Sequence, residues 1–302
     1  MTDNFDPGFG LRNAHVQTIG SSLFSSAPDL PNSERLELIC RDDIRLEAWR
    51  TKGARGCVIL IHGWLGSADS SYIKLSAAVL QAEGYEVVRL NLRDHGDTSH
   101  LNTGAFNSAR LGEVVDACNR IAEQSRRSSV IVGYSLGGNF ALRVAAATGI
   151  PALAICPPVD PQASCKAIDS GSSIYRHYFL NKWRRSLAAK ETAHPTLYDF
   201  SEARRHRTVL GLTQHFIGGL LPYESANEYF AAYRLDAELL RDAPVEIIAS
   251  VDDPVIPVAG FKALAGQVKQ TITRYGGHCG FMPRRWLTDQ IRRFAADHLA
   301  YQ

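Results

Sequence analysis

Short apolar runs rich in β-branched residues alternate with segments of helical periodicity along most of the chain. The runs include CVILIHG, YEVVRLNLR, SSVIVGYS and PVEIIASVDD, and the segments between them include SYIKLSAAVLQAEG and LGGNFALRVAAATG. Strands buried on both faces have such uninterrupted apolar sequences, and their alternation with helices is typical of a parallel sheet covered on both sides. We therefore predict an α/β fold. RLELIC and RLEAWR near the start alternate like an antiparallel hairpin.

The strand rhythm stops between about 160 and 240, where helix-like, aromatic and basic segments such as SSIYRHYFLNKWRRSLAAKE take its place. The rhythm then resumes, so this stretch is predicted to be inserted between two strands of one sheet. The predicted organisation is a core formed by residues 1–159 and 241–302, with a helical insertion at 160–240.

Composition excludes several classes of function. The chain has 302 residues, 45% of them hydrophobic, and a formal net charge of +2, which provides no concentrated basic face for nucleic acid. No apolar run approaches the roughly 18 residues of a membrane span, and the start lacks the layout of a signal peptide. We expect a cytoplasmic protein without an integral membrane segment. Six scattered cysteines without a CxxC pair argue against a disulfide framework or a zinc site. The oligomeric state is not predicted.

The sequence GYSLG places Ser135 between glycines, at the point where a β-branched run ends and a helical pattern begins. This context predicts a nucleophile elbow, a tight strand-to-helix turn that presents a serine hydroxyl. Gly133 and Gly137 supply the small neighbours that such a turn needs. The structural alternative is a glycine-rich turn that packs a strand against a helix.

An unperturbed serine hydroxyl is a poor nucleophile, so the elbow needs a histidine as base and a carboxylate to orient it. His278 follows the last predicted strand in TITRYGGHCGF, and its setting is unlike that of the other nine histidines. The carboxylate should follow the preceding strand, where VEIIASVDDPVIP offers both Asp252 and Asp253. A solvated turn would also explain these two acids.

Backbone amides can stabilise the oxyanion of an acyl-transfer site. Leu136 follows the serine at the predicted helix start, and Trp64 lies in the loop HGWLG after the strand CVILI. We predict that these two amides are the donors. His62 opens the same loop, and we expect it to hold the loop by hydrogen bonds rather than to take part in the chemistry.

HGWLGS, GYSLGG, DDPVIP and GGHCGF, in this order, resemble the α/β-hydrolase superfamily. The early LRNAHVQTI is similar to the opening motif of its YheT-like branch, which includes the ABHD1/2/3-type proteins. The resemblance spans nearly the whole chain. It implies an eight-stranded, mostly parallel sheet and a triad of Ser135, Asp253 and His278. The loop NLRDHGDTSH departs from many relatives by Asp94 and an inserted histidine, which leaves the substrate open.

Asp253 is preferred over Asp252 for two reasons. In similar hydrolases the triad acid commonly precedes a small residue or proline, and Asp253 precedes Pro254. Proline also biases the residue before it toward extended backbone, which would hold the carboxylate at the strand end. We expect Asp252 to accept backbone amides of the turn instead.

In this fold, helices inserted between the sixth and seventh strands usually cover the active site as a cap. The helix-like segment IYRHYFLNKWRRSL carries an apolar stripe beside basic residues: Tyr175, Tyr178, Phe179, Trp183 and Leu187. Three interpretations stay open, namely core packing with a solvated basic face, a lipophilic wall for an acyl chain, and weak contact with an anionic membrane surface. We favour a cap that packs on the sheet and partly lines an apolar cleft.

These observations predict a serine carboxylic-ester hydrolase that forms an acyl-enzyme and acts on small-molecule esters with lipophilic or short-to-medium acyl groups. No metal or organic cofactor is expected. An acyltransferase or a thioesterase would use the same residues with another acceptor or leaving group. A binding protein without activity on a hydrolase scaffold is the alternative from a different class.

Overall fold

The computed structural model describes residues 5–23 and 28–299. The strands in these ranges are β1 (Ser33–Ile39), β2 (Arg45–Thr51), β3 (Cys57–Ile61), β4 (Glu86–Leu90), β5 (Ser129–Tyr134), β6 (Ala152–Ile155), β7 (Val245–Ser250) and β8 (Lys269–Thr273). They form one eight-stranded sheet in the order β1-β2-β4-β3-β5-β6-β7-β8.

The sheet is mostly parallel. β2 pairs antiparallel with both β1 and β4, and all other neighbouring strands are parallel. The predicted eight-stranded, mostly parallel sheet and its N-terminal hairpin are therefore confirmed. Because β5 lies between β3 and β6, its carboxyl end is at the middle of the sheet, where loops from neighbouring strands can reach it.

Helices cover both faces of the sheet. They are α1 (Ala14–Leu23), α2 (Ser71–Ala82), α3 (Gly112–Ser125), α4 (Leu136–Thr148), α5 (Pro161–Ser170), α6 (Ser173–Ala193), α7 (Val209–Phe216), α8 (Ala226–Ala231), α9 (Ala259–Lys262) and α10 (Arg285–His298). Alternate side chains of β3 enter different hydrophobic clusters: Ile59 joins that of α3 and α4, and Leu60 joins that of α2 and α10. None of these helices, in the ranges given above, has the length and hydropathy that a bilayer-spanning segment requires.

The segment between β6 and β7 contains four of these helices, α5 to α8. Its buried side chains, such as Leu180, Phe216 and Tyr229, belong to the same hydrophobic cluster as Phe140 of α4. The insertion therefore packs on the helical layer that carries the elbow. Its treatment as a domain separate from residues 1–159 and 241–302 stays a prediction.

Candidate active site

Ser135 occupies the turn between β5 and α4. Its backbone has φ 52° and ψ −121°, a conformation that residues other than glycine rarely adopt. A Cβ atom at Gly133 would lie 2.2 Å from the carbonyl oxygen of Gly137, and one at Gly137 would lie 2.3 Å from that of His62. Both contacts are with backbone, which cannot move aside cheaply. The two glycines are therefore required by the close approach of strand, turn and helix that exposes the serine.

His278 connects this serine to a carboxylate. Its Nε2 lies 3.0 Å from Ser135 Oγ, and its Nδ1 lies 2.8 Å from Asp253 Oδ2. Asp253 follows β7 and His278 follows β8, so the carboxyl ends of parallel strands supply all three groups. The amide of His278 also donates to Thr18 Oγ1 of α1 at 2.8 Å. The arrangement is a continuous hydrogen-bonded path from a hydroxyl through an imidazole to a carboxylate.

The two neighbouring aspartates point to different partners. Asp253 Oδ1 accepts hydrogen bonds from the amides of Val255 at 2.7 Å and Ile256 at 2.9 Å, which leaves Oδ2 for the histidine. Asp252 Oδ1 instead accepts the amide of Gly277 at 2.9 Å. Asp252 therefore binds the backbone of the histidine loop, and Asp253 binds the imidazole.

The protonation of His278 depends on two opposed effects. Burial lowers the pKa of this imidazole, but the charge and hydrogen bond of the Asp253 carboxylate, together with the Cys279 thiol, outweigh burial and raise the pKa to about 9. The His278 side chain is 11% exposed and that of Asp253 1% exposed, so water screens their attraction weakly. The carboxylate thus makes the imidazole a stronger base than a free histidine.

The two predicted oxyanion donors border the serine. Leu136 is the first residue of α4, and within the described residues neither its amide nor that of Trp64 donates a hydrogen bond to another group. A Cβ atom at Gly63 would lie 3.1 Å from Ser135 Cβ, so the loop after β3 runs against Ser135. Their role as oxyanion donors stays a prediction.

His62 has the loop-holding contacts that we expected. Its Nε2 accepts the amide of Leu92 at 3.2 Å, and its Nδ1 lies 2.8 Å from the Gly63 carbonyl oxygen. Burial holds the pKa of His62 well below its usual range. A neutral imidazole that donates from Nδ1 satisfies both contacts.

Two cavities meet at Ser135, and Trp64, Phe179 and Val255 border both. The cap-side cavity has a volume of about 120 Å³, and its walls include Leu136, Trp183, Leu187, Phe216 and Phe230. The histidine-side cavity has a volume of about 240 Å³, and its walls include Tyr72, Tyr175, His278, Cys279 and Arg284. The aromatic stripe of α6 therefore lines the cleft as well as packing on the core.

Sequence reasoning missed a buried ion pair that joins the insertion to the loop after β4. Lys190 Nζ lies 2.9 Å from Asp94 Oδ1 and also donates to the carbonyl oxygens of Ser99, Asn102 and Gly104. Asp94 and Lys190 both border the cap-side cavity. The unusual Asp94 in NLRDHGDTSH was the available signal, but a lysine 96 residues away could not be assigned to it.

Among the described residues, one cluster could hold a metal ion. Ligand atoms of Cys156, His278 and Cys279 lie within 4.8 Å of one another. The two ring nitrogens of His278 already contact Ser135 and Asp253. A metal at this position would therefore have to break the hydrogen-bonded path described above.

Comparison with known proteins gives the same fold. A family model described as "Alpha/beta hydrolase family" matches residues 58–290. The Escherichia coli (strain K12) protein named "Putative esterase YheT" is 29% identical, over 98% of this chain and 94% of its own. The "Embryogenesis-associated protein EMB8" of Picea glauca is 22% identical, over 90% of this chain and 66% of its own.

Solved structures are similar in fold at low sequence identity. The Pyrococcus furiosus esterase PF2001 has a TM-score of 0.59 and 14% identity, over 96% of this chain and 98% of its own. The serine hydrolase CCSP0084 from Cycloclasticus zankles has a TM-score of 0.59 and 15% identity, over 87% of this chain and 97% of its own.

Proposed function

Because this chain belongs to the α/β-hydrolase family, we propose that it is a serine carboxylic-ester hydrolase that works through an acyl-enzyme. The observation that carries the proposal is the path from Ser135 through His278 to Asp253, with distances of 3.0 Å and 2.8 Å. Nucleophile, base and orienting acid are each within hydrogen-bonding reach of the next, which is the requirement for nucleophilic catalysis by serine. The esterase names of the YheT and PF2001 relatives agree with this chemistry.

Acylation begins when Ser135 Oγ attacks the ester carbonyl carbon and its proton passes to Nε2 of His278. Asp253 keeps the Nδ1 proton in place and stabilises the imidazolium that forms. The amides of Trp64 and Leu136 donate to the oxyanion of the tetrahedral intermediate. The imidazolium then gives its proton to the alcohol oxygen, the carbon–oxygen bond breaks and the alcohol leaves.

Deacylation repeats these steps with water as nucleophile. His278 takes a proton from the water as it attacks the acyl carbonyl carbon. The second tetrahedral intermediate collapses, Ser135 Oγ recovers its proton and the carboxylic acid is released. Every proton passes through a group of this chain, so the cycle runs without a cofactor.

The cap-side cavity fits the acyl group. It borders Leu136, a proposed oxyanion donor, and its walls are mainly apolar side chains of the insertion. A volume of about 120 Å³ favours short-to-medium chains over long ones. We propose small-molecule esters with such acyl groups as the substrates. The cytoplasmic location expected from the sequence stays a prediction.

A fluorophosphonate probe with a panel of p-nitrophenyl esters tests the proposal. We expect the wild-type protein to take up the probe at Ser135 and to hydrolyse acetate, butyrate and octanoate esters. Ser135→Ala should fold, as judged by circular dichroism, but lose both labelling and hydrolysis. Labelling of the Ala variant, or a wild-type protein that neither labels nor hydrolyses any ester, would contradict the proposal.

A further inference from the structure

This inference rests on the proposed function, because that function divides the ester between the two cavities. His278 must give its proton to the alcohol oxygen, so the alcohol part lies on the side of the imidazole. His278 borders the histidine-side cavity but not the cap-side cavity. The acyl chain occupies the cap-side cavity, and the alcohol part therefore enters the histidine-side cavity.

Arg284 places a positive charge on the wall of this second cavity. Its Nη2 donates to the carbonyl oxygen of Ser21 at 2.8 Å, and within the described ranges no carboxylate forms a salt bridge with it. Arg93, by contrast, is buried against the carboxylate of Glu113. Arg284 thus has donors that no carboxylate of the described residues neutralises.

The surroundings of this guanidinium are poor in compensating charge. Burial lowers the pKa of Arg284, and the groups that act on it electrostatically are Tyr134, Cys279 and Tyr72. Its Nε is enclosed and has no acceptor in the described residues. A guanidinium stays protonated at neutral pH, and a partly buried charge without a counter-charge is unfavourable. An anion in the histidine-side cavity would compensate the charge of Arg284 and so lower the cost of burying it.

We propose that Arg284 binds an anionic group on the alcohol part of the ester, a carboxylate or a phosphate monoester. Arginine suits both because its planar fork of donors matches their oxygens. The contact with Ser21 fixes the guanidinium at the end of α1 and leaves its other terminal nitrogen, Nη1, for the ligand. The substrate class is thus an ester with an apolar acyl group and an acidic alcohol.

Matched substrates test this charge preference. The first pair, the butyryl esters of 4-hydroxybutanoate and 4-hydroxybutanamide, tests a carboxylate against a neutral amide. The second pair, the butyryl esters of glycerol 3-phosphate and glycerol, tests a phosphate against a hydroxyl. We expect the wild-type protein to favour the anionic member of at least one pair by about tenfold in kcat/KM, the size of one charge-assisted hydrogen bond. The pair with the larger preference identifies the anion.

Three variants separate recognition from packing. Arg284→Gln should remove the preference, and Arg284→Lys should keep most of it. Arg285→Gln removes the same charge one residue away, from a side chain that is 91% exposed, and should leave the preference unchanged. Equal losses on anionic and neutral esters in Arg284→Gln would show that Arg284 only anchors α1, and would overturn the inference.

A binding measurement separates this inference from the proposed function. Calorimetry should show tighter binding of the anionic butyryl ester to Ser135→Ala than to Ser135→Ala/Arg284→Gln, whether or not the wild-type protein hydrolyses it. Equal affinities would refute the anion site even in an active esterase. Anion binding that depends on Arg284 in a protein without esterase activity would support the site and contradict the proposed hydrolysis.

Discussion

Asp253 Oδ2 lies 2.8 Å from His278 Nδ1. Asparagine at 253 would present an amide that holds the wrong histidine tautomer, so we expect Asp253→Asn to lower kcat by about 10⁴-fold, as in the serine-protease precedent. Measurement of kcat at saturating ester, with circular dichroism to confirm folding, checks this.

Asp252→Asn is the matched control, because Asp252 binds the Gly277 amide rather than the imidazole. An asparagine oxygen can still accept that amide, so kcat should fall by less than about tenfold. If Asp252→Asn proved the more damaging change, the orienting acid would be Asp252.

The pKa of His278 predicts how the rate depends on pH. The pKa is raised to about 9, mainly by Asp253 with a contribution from Cys279, and only the neutral imidazole can accept the serine proton. We expect kcat/KM for a neutral ester to rise with pH, by about tenfold per unit below the midpoint, and to level off near pH 9. In Asp253→Asn the midpoint should move down, because burial then acts without the carboxylate. A rate already constant from about pH 6 upward would contradict the raised pKa.

The aromatic residues of α6 should control acyl-chain preference. Phe179 stacks on Trp64 with ring centroids 5.6 Å apart, and Trp183 meets Trp64 edge-on at 5.2 Å. Replacing either α6 residue by Ala should reduce kcat/KM more for octanoate than for acetate esters, because the longer chain contacts more of the wall. Leu197→Ala, at an exposed position of the insertion, is the control. Equal losses at all chain lengths would indicate packing alone.

The Asp94–Lys190 pair should dominate the stability of the contact between the insertion and the loop after β4. Lys190→Met leaves the carboxylate, which is 4% exposed, without its cation. We expect the free energy of unfolding in urea to fall by about 3 to 5 kcal/mol. The double variant Asp94→Asn/Lys190→Met should recover part of this loss, since neither charge then remains buried alone. A double variant as unstable as the sum of the single variants would show that the pair is not coupled.

Cys279 should be the first cysteine to react with iodoacetamide. Burial raises its pKa, but the Cys156 thiol and the positive charge of His278 outweigh this and lower it. The pKa of each of the other five is raised by burial: Cys40, Cys57, Cys118, Cys156 and Cys165. Peptide mass spectrometry after brief treatment should find the adduct at Cys279, with fluorophosphonate uptake reduced because the adduct fills the histidine-side cavity. Earlier modification of a buried cysteine would contradict this order.

The parts of the site that follow from local sequence were predictable. Ser135 is set by a strand, a turn and a helix within 20 residues, and the loop after the last strand pointed to His278. Helix length was harder: VAGFKALAGQV has helical spacing, but α9 ends at Lys262 and the chain continues through 3₁₀-type turns to Gly266, whose φ is 82°. That outcome depends on a glycine conformation that periodicity does not encode.

The surroundings of the site were beyond sequence reasoning. The contacting residues are far apart in the sequence: Arg284 and Ser21 are separated by 263 residues, and Lys190 and Asp94 by 96 residues. These contacts depend on how α1 and α6 pack across the carboxyl edge of the sheet. The sequence pattern fits several different pairings of polar residues at that edge, so it does not select the pairs that form.

The strained backbone of Ser135, with φ 52°, also has a consequence for which residue selection favours at this position. A residue other than glycine in such a conformation costs about 1 to 3 kcal/mol, which the rest of the fold must offset. Glycine at 135 would adopt the same turn without that cost, so mutation and selection for stability alone would replace the serine. In a copy of this chain no longer selected for the proposed catalysis, glycine at 135 would remove this cost. Selection for the proposed chemistry, acting against selection for stability, would maintain a serine in this position.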